Sequence, residues 1–199
     1  MESVSSFAPG RVELLGNHTD YNGGVVLSAA LDLGISAVGR RRDDGKIVLS
    51  SKGIDGTVTA DPKALAPHQT WADYPLGVAK MLREAGYPVG GFEAEFSSTL
   101  PLGAGLSSSA ALEVCTAVLI MRLFGFSVDR LPLAKLCRKA ENEYVGVSCG
   151  LLDQVSSIFG RKDHAIFLDC RAETVENVPF PRGVALLVVN SGVKHALTG

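Results

Sequence analysis

"PLGAGLSSSAALEV", residues 101–114, decides how this chain is read. Two glycines and three consecutive serines stand ahead of an apolar, helix-forming segment. Glycine weakens a helix and serine is neutral at best inside one, so a corner that only turned would need neither in such numbers. The alternating stretch "GFEAEFSST" leads into the corner as a half-buried strand, and a helix is predicted from about Ser108 to Phe124. The first turn of that helix has backbone N–H groups without internal partners, and its dipole attracts anions. Gly103 and Gly105 allow close backbone approach and positive φ. Ser107, Ser108 and Ser109 offer hydroxyls that can donate to phosphate oxygens or ligate Mg²⁺. The corner therefore reads as a phosphate site, with an ordinary serine-capped helix after a tight turn as the bland alternative. It is neither of the two common phosphate loops: no lysine completes G-x-x-x-x-G-K-[ST], and no G-x-G-x-x-G is followed by an acid at dinucleotide spacing.

Working outward, Val12 to Leu15 reads as a short strand closed by Gly16, and residues 25–40 as one or two strands. "KIVLSS" and "GTVTA" flank "GIDG" and read as a hairpin turning there. Val78, Met81, Leu82 and Ala85 recur at helical spacing in a helix from Asp73, which Gly86 ends. A further helix is predicted from about Pro132 to Val145 with Asp129 as N-cap, and another from near Leu151. "HAIFLDC" and "GVALLVVNS" read as strands, the second nearly all apolar and central. Strands and helices mix without strict βαβ repetition, which predicts an α+β fold with a mixed sheet.

Composition narrows the function. Of 199 residues, 46% are apolar and 20% charged, with a net charge of −2, so neither nucleic acid nor an anionic membrane is an expected partner. The basic run "GRRRD" at 39–43 is short and reads as a solvated turn. Cys115, Cys137, Cys149 and Cys170 form no C-x-x-C pair and no His stands at metal-ligand spacing, and they read as buried free thiols of a reducing cytosol. The N-terminus has neither the basic nor the apolar region of a signal peptide, and no run approaches the roughly 20 apolar residues of a membrane span, so a cytoplasmic protein is expected.

Three segments carry a resemblance. "PLGAGLSSSAALE" resembles the P-x-x-x-G-L-x-S-S-A phosphate motif of the GHMP kinases, "GRVELLGNHTDYNGG" at 10–24 resembles the signature of the galactokinase family within them, and "CGLLDQ" at 149–154 resembles its catalytic segment. The order and spacing of the three agree, and the resemblance covers essentially the whole chain. It implies ATP-dependent phosphorylation of the anomeric 1-hydroxyl of galactose, with ATP and Mg²⁺ as cofactors and a monomeric, cytoplasmic enzyme of galactose metabolism. Asp153 matches the catalytic aspartate that accepts or orients the sugar hydroxyl proton. Arg11 matches the arginine beside it, whose fixed charge favours the ionised carboxylate and stabilises charge developing in transfer. His18, Asp20 and Gly150 match sugar contacts. Asn17 does too, but departs from the family's glutamate in "GEHTDY", which leaves the identity of the sugar open. Gly103, Gly105, Leu106, Ser107, Ser108, Ser109 and Ala110 match the phosphate loop, Ser109 and Glu141 the Mg²⁺ ligands, and Trp71 an aromatic of the adenine pocket with a core tryptophan as its alternative. His68, His164 and His195 match nothing. A sugar and ATP sensor without turnover, or a kinase of a related sugar such as N-acetylgalactosamine, are the other readings. Family members are longer, with two lobes. The resemblance therefore implies that 1–199 is the N-terminal nucleotide- and sugar-binding domain, with weak or no turnover alone.

Overall fold

The computed structural model describes residues 2–101 and 103–189. His195 lies outside them. Seven strands form one sheet: β1 (Val4–Leu15), β2 (Val25–Arg41), β3 (Ile47–Ser51), β4 (Ile54–Ala60), β5 (Phe92–Ser98), β6 (His164–Asp169) and β7 (Thr174–Pro179). Four α-helices accompany them: α1 (Asp73–Glu84), α2 (Ser108–Phe124), α3 (Arg130–Lys139) and α4 (Leu152–Phe159). The sheet runs β4-β3-β5-β2-β6-β7, with β1 paired to β2. Only β3 and β5 pair in parallel; every other pair is antiparallel, which gives the mixed α+β sheet the sequence predicts.

The long strand β2 is the spine. Its first residues pair with β6 (Val25 opposite Asp169) and its last with β5 (Arg41 opposite Phe92), while β1 runs along it for most of its length. Strand β2 matches residues 25–40 as one strand, whereas β1 is much longer than Val12–Leu15, because sheet pairing extends through positions whose composition is neutral. The register of β1 shifts between Pro9 and Arg11. Such an irregularity re-aims a strand residue. Arg11 stays opposite Ala30 in the β1–β2 pairing, and its N–H donates to the Leu106 carbonyl at 3.2 Å.

The core lies between the sheet and the helices. Phe92 and Phe96 of β5 are fully buried against Leu119 and Ile120 of α2 and Leu76 and Leu82 of α1. Burying a side chain of that size contributes about 1.5–3 kcal/mol. A second cluster joins α4 to β6 and β2 through Val155, Ile166, Leu168 and Val26. Helix α2 begins and ends where the sequence predicts, and Gly125 closes it in the left-handed conformation at φ 73°.

Three expectations are corrected. The β3–β4 hairpin turns at Lys52–Gly53 rather than at "GIDG": Ser51 pairs with Ile54, and Ile54 to Gly56 are already strand. Gly53, at φ 85°, supplies the positive φ that a two-residue turn needs. The helix predicted over 132–145 is α3 followed by a π-helical turn, Ala140–Val145. The strand predicted at "GVALLVVNS" is not formed over residues 183–189, where Leu187 and Val189 are exposed; its last two residues lie outside the described region. Residues 183–189 pair with no strand of the described sheet, whose last strand is β7, so the apolar run has no ladder partner there. Strand β7 itself, polar and alternating, has no counterpart in the sequence reading. The "GRRRD" run is a turn only at its end: Gly39, Arg40 and Arg41 close strand β2 against β5, and Arg42, just past it, pairs with Asp44 and Glu93. All four cysteines are free thiols, but only Cys115 and Cys137 are buried; Cys149 and Cys170 are partly exposed because they sit outside the helix core.

Candidate active site

The strand-to-helix corner after β5 is the centre of the site. Gly103 and Gly105 adopt φ of 69° and 67°, as a close-turning loop requires. Ser107, the N-cap of α2, also lies in the left-handed region, at φ 55° and ψ 48°. Its hydroxyl makes no capping hydrogen bond to the helix. The serine-cap alternative is therefore not what this residue does, and the first-turn N–H groups of a 17-residue helix keep their capacity for an external anion.

The Ser107 hydroxyl instead donates to Asp153 Oδ2 at 2.6 Å. Asp153 sits in the first turn of α4 and is reached from the other side by Arg11. Arg11 Nε donates to Asp153 Oδ1 at 2.8 Å, its Nη2 lies 2.6 Å from the same oxygen, and its Nη1 donates to the Gly105 carbonyl at 2.8 Å. One guanidinium thus ties the carboxylate on α4 to the glycine loop before α2. Both side chains keep some exposure, 15% for Arg11 and 26% for Asp153, so the carboxylate is held yet open to a ligand. A charge-assisted pair of this geometry fixes orientation as well as charge.

A second cluster lies deeper. Glu141 projects from the π-helical turn and is buried, and Ser109 is within side-chain hydrogen-bonding reach of it. Wide turns of this kind recur at functional positions because they swing a side chain off the helical face. Gln154 Nε2 donates to Glu141 Oε2 at 2.8 Å and to Glu113 Oε2 at 3.0 Å. Glu113 comes from α2 and is fully buried, with Oε1 unpartnered; Gln154 Oε1 is likewise unpartnered. Burial, and then the neighbouring Glu141 charge, push the Glu113 carboxyl well above the ordinary glutamate range. Burial also raises Glu141, opposed by hydrogen bonds from Cys149, Ser109 and Gln154. The Cys149 thiol lies 3.2 Å from Glu141 Oε2 and is pushed upward, first by burial and then by the Glu141 charge, so it is a neutral, unreactive thiol.

The sugar-contact candidates come together in part. Gly150 packs directly against the Asp20 carboxylate: a Cβ on Gly150 would stand 1.7 Å from Asp20 Oδ2. Asp20 opens a short 3-10 turn, Asp20–Asn22, held by Asn22 N–H bonding the Thr19 carbonyl. His18 is exposed at φ 62°, its Nδ1 2.6 Å from the Tyr21 hydroxyl. Asn17 is exposed on the same loop. Trp71 stands apart, edge-on to Phe96 at 5.9 Å between ring centroids and half-buried on the core. The His164 ring lies against the Lys162 carbonyl and His68 is bound to Asp73 only through its backbone N–H. A separate groove lined by Phe7, Leu31, His164 and Phe180 holds none of the predicted site residues.

Sequence reading missed Glu113, Gln154 and Cys149. The signal for Glu113 was present: α2 is apolar almost all round, so a carboxylate in its middle has to be buried. No three or more His, Cys, Asp and Glu side chains among the described residues gather into a metal cage. The Ser109 hydroxyl and Glu141 carboxylate are hard oxygen donors, and two such donors suit a Mg²⁺ ion that takes its remaining ligands from water and phosphate.

The GHMP kinases N terminal domain matches residues 73–161, and the galactokinase galactose-binding signature matches residues 2–41. The chain is 42% identical over 197 residues to a galactokinase of Pyrococcus furiosus, covering 99% of this chain and 55% of that protein. It is 45% identical over 192 residues to a galactokinase of Thermotoga neapolitana, covering 96% of this chain and 54% of the relative. The chain thus spans about half the length of the curated relatives it matches. Among solved structures it resembles Lactococcus lactis galactokinase complexed with galactose, at a TM-score of 0.86 and 40% identity over 89% of this chain and 47% of that one. Methanococcus jannaschii mevalonate kinase shares the fold at a TM-score of 0.73 and 20% identity, over 89% of this chain and 55% of that chain.

Proposed function

This chain belongs to the GHMP kinase family, and from that premise we propose that it supplies the nucleotide- and sugar-binding domain of a galactokinase. The reaction is transfer of the γ-phosphoryl group of ATP to the anomeric 1-hydroxyl of galactose. The single observation that carries the proposal is the Arg11–Asp153–Ser107 unit, which sets a held but accessible carboxylate against a glycine-rich helix start.

Asp153 accepts the proton of the attacking hydroxyl while that oxygen bonds to the γ-phosphorus and the bond to the β,γ-bridging oxygen breaks, releasing ADP. Arg11 holds the carboxylate and places fixed positive charge where negative charge spreads over the transferring group. The uncapped first turn of α2, with Gly103, Gly105, Leu106, Ser108 and Ala110 around it, receives the triphosphate. Ser109 and Glu141 would hold Mg²⁺, which when bound neutralises phosphate charge. Asp20, His18, Asn17 and the Gly150 backbone contact sugar hydroxyls, where paired hydrogen bonds discriminate between sugars. Trp71 borders the adenine. The reading places the protein in the cytoplasm as a monomer; no helix among the described residues is long and apolar enough to cross a membrane.

The test is an ADP-release assay on the full-length protein with galactose, N-acetylgalactosamine, glucose, arabinose and mevalonate. Turnover with galactose above all others is expected. Preference for N-acetylgalactosamine would reassign the sugar, the point on which Asn17 bears. Tight binding of sugar and ATP with no ADP released would favour a sensor.

A further inference from the structure

The three serines of the loop do three different things. Ser109 reaches Glu141, and Ser108 is exposed as the first residue of α2. Ser107 alone faces Asp153. Resting on the kinase reading above, we propose that Ser107 is a positioning residue for the base rather than a phosphate ligand: its hydroxyl fixes Asp153 Oδ2 while Arg11 fixes Oδ1.

Two observations carry this. A serine hydroxyl has one hydrogen to give, and here it goes to Asp153 Oδ2 at 2.6 Å, so it is not free for a phosphate oxygen. Ser107 also occupies the left-handed region, at φ 55°, where a side chain costs about 1–2 kcal/mol and glycine would cost nothing. The loop already uses glycine at Gly103 and Gly105 for this backbone shape. What serine adds over glycine in such a place is its hydroxyl. Asp153 Oδ1 takes both contacts from Arg11, which leaves Oδ2 the oxygen that can meet the incoming sugar hydroxyl. Each carboxylate oxygen has two acceptor sites, so Oδ2 can hold Ser107 and a substrate proton together. With Arg11 alone the carboxylate could swing about its Oδ1 anchor. With Ser107 it is pinned at both ends, and both pins belong to the elements that build the phosphate site, because Arg11 also bonds the Gly105 carbonyl.

The test uses S107G in the full-length protein, which removes the hydroxyl and the backbone strain together. Single-turnover phosphorylation at saturating ATP is expected to fall roughly tenfold to a hundredfold, the scale of a misplaced reacting group. The ATP dissociation constant by calorimetry should stay within about twofold, and the unfolding midpoint should hold or rise. A raised ATP dissociation constant with an unchanged single-turnover rate would make Ser107 a phosphate ligand and overturn the proposal; so would no change in either. Should the full-length protein phosphorylate no sugar, the kinase reading fails, and the pairing is judged separately by a double-mutant cycle of thermal unfolding with S107A and D153A. Non-additive midpoints are expected, and additive ones refute the contact.

Discussion

The Asp20 carboxylate occupies the space that any side chain at Gly150 would need, with a Cβ there falling 1.7 Å from Oδ2 and 2.4 Å from Cγ. Two segments 130 positions apart in the chain thus meet with no spare room, and the contact joins the loop after β1 to the approach of α4. Gly150→Ala should push Asp20 aside without touching the phosphate loop. A loss of about 1.4 kcal/mol or more in galactose binding, tenfold in dissociation constant, is expected. Calorimetry with galactose and with ATP separately checks it: ATP affinity should be unchanged, and unchanged galactose affinity would remove Asp20 from the sugar site.

Gly10 plays a similar part on the other side. A Cβ there would stand 2.6 Å from the Leu106 carbonyl oxygen and 2.6 Å from Leu100 Cδ2. The missing side chain is what allows the Arg11 N–H to reach Leu106. Gly10→Ala should separate β1 from the phosphate loop and destabilise the fold by about 1–3 kcal/mol, the usual cost of overpacking. Urea unfolding measures this, and a variant as stable as the parent would show that the β1–loop contact yields freely.

Glu113 makes stability depend on pH. Its carboxyl is raised in the folded state by burial first and the Glu141 charge second, so the folded protein holds a proton that the unfolded chain releases near the ordinary value of 4.5. Stability from this group is complete below that value and drains away as pH rises toward the folded one. Glu113→Gln keeps a neutral group of the same shape and should flatten the decline. In EDTA, thermal midpoints from pH 5 to 8 should fall less for the variant than for the parent. Equal slopes would mean that Glu113 does not keep its proton. Glu141, also raised by burial, leaves part of the decline in place.

Much of this architecture is legible in the sequence. Helix α2 is bounded by Ser108 and Phe124 because a glycine-serine corner precedes an unbroken apolar run and Gly125 follows it. Strand β5 follows from its alternation. What local pattern does not carry is pairing across distance. Nothing near Arg11 says that it meets Asp153, 142 positions away; only the family resemblance implies that pairing, and the fold makes it by bringing β1 against α4. The Ser107 hydroxyl looks like a helix cap from sequence because serine before a helix usually is one. The apolar segment at 183–189 looks like a strand because composition reports burial and not the neighbour that a ladder requires. The π-helical turn that turns Glu141 inward has no sequence signature at all.

The central claim is that Asp153 takes the proton of a sugar hydroxyl beside a nucleotide held on α2. Its most direct measurement is rapid-quench phosphorylation of galactose by the full-length Asp153→Ala variant, with galactose and ATP affinities measured on the same preparation. The account predicts a single-turnover rate lower by at least about a hundredfold, the contribution of a positioned base, with both substrates still bound. A rate near that of the parent, with both substrates bound, would contradict it.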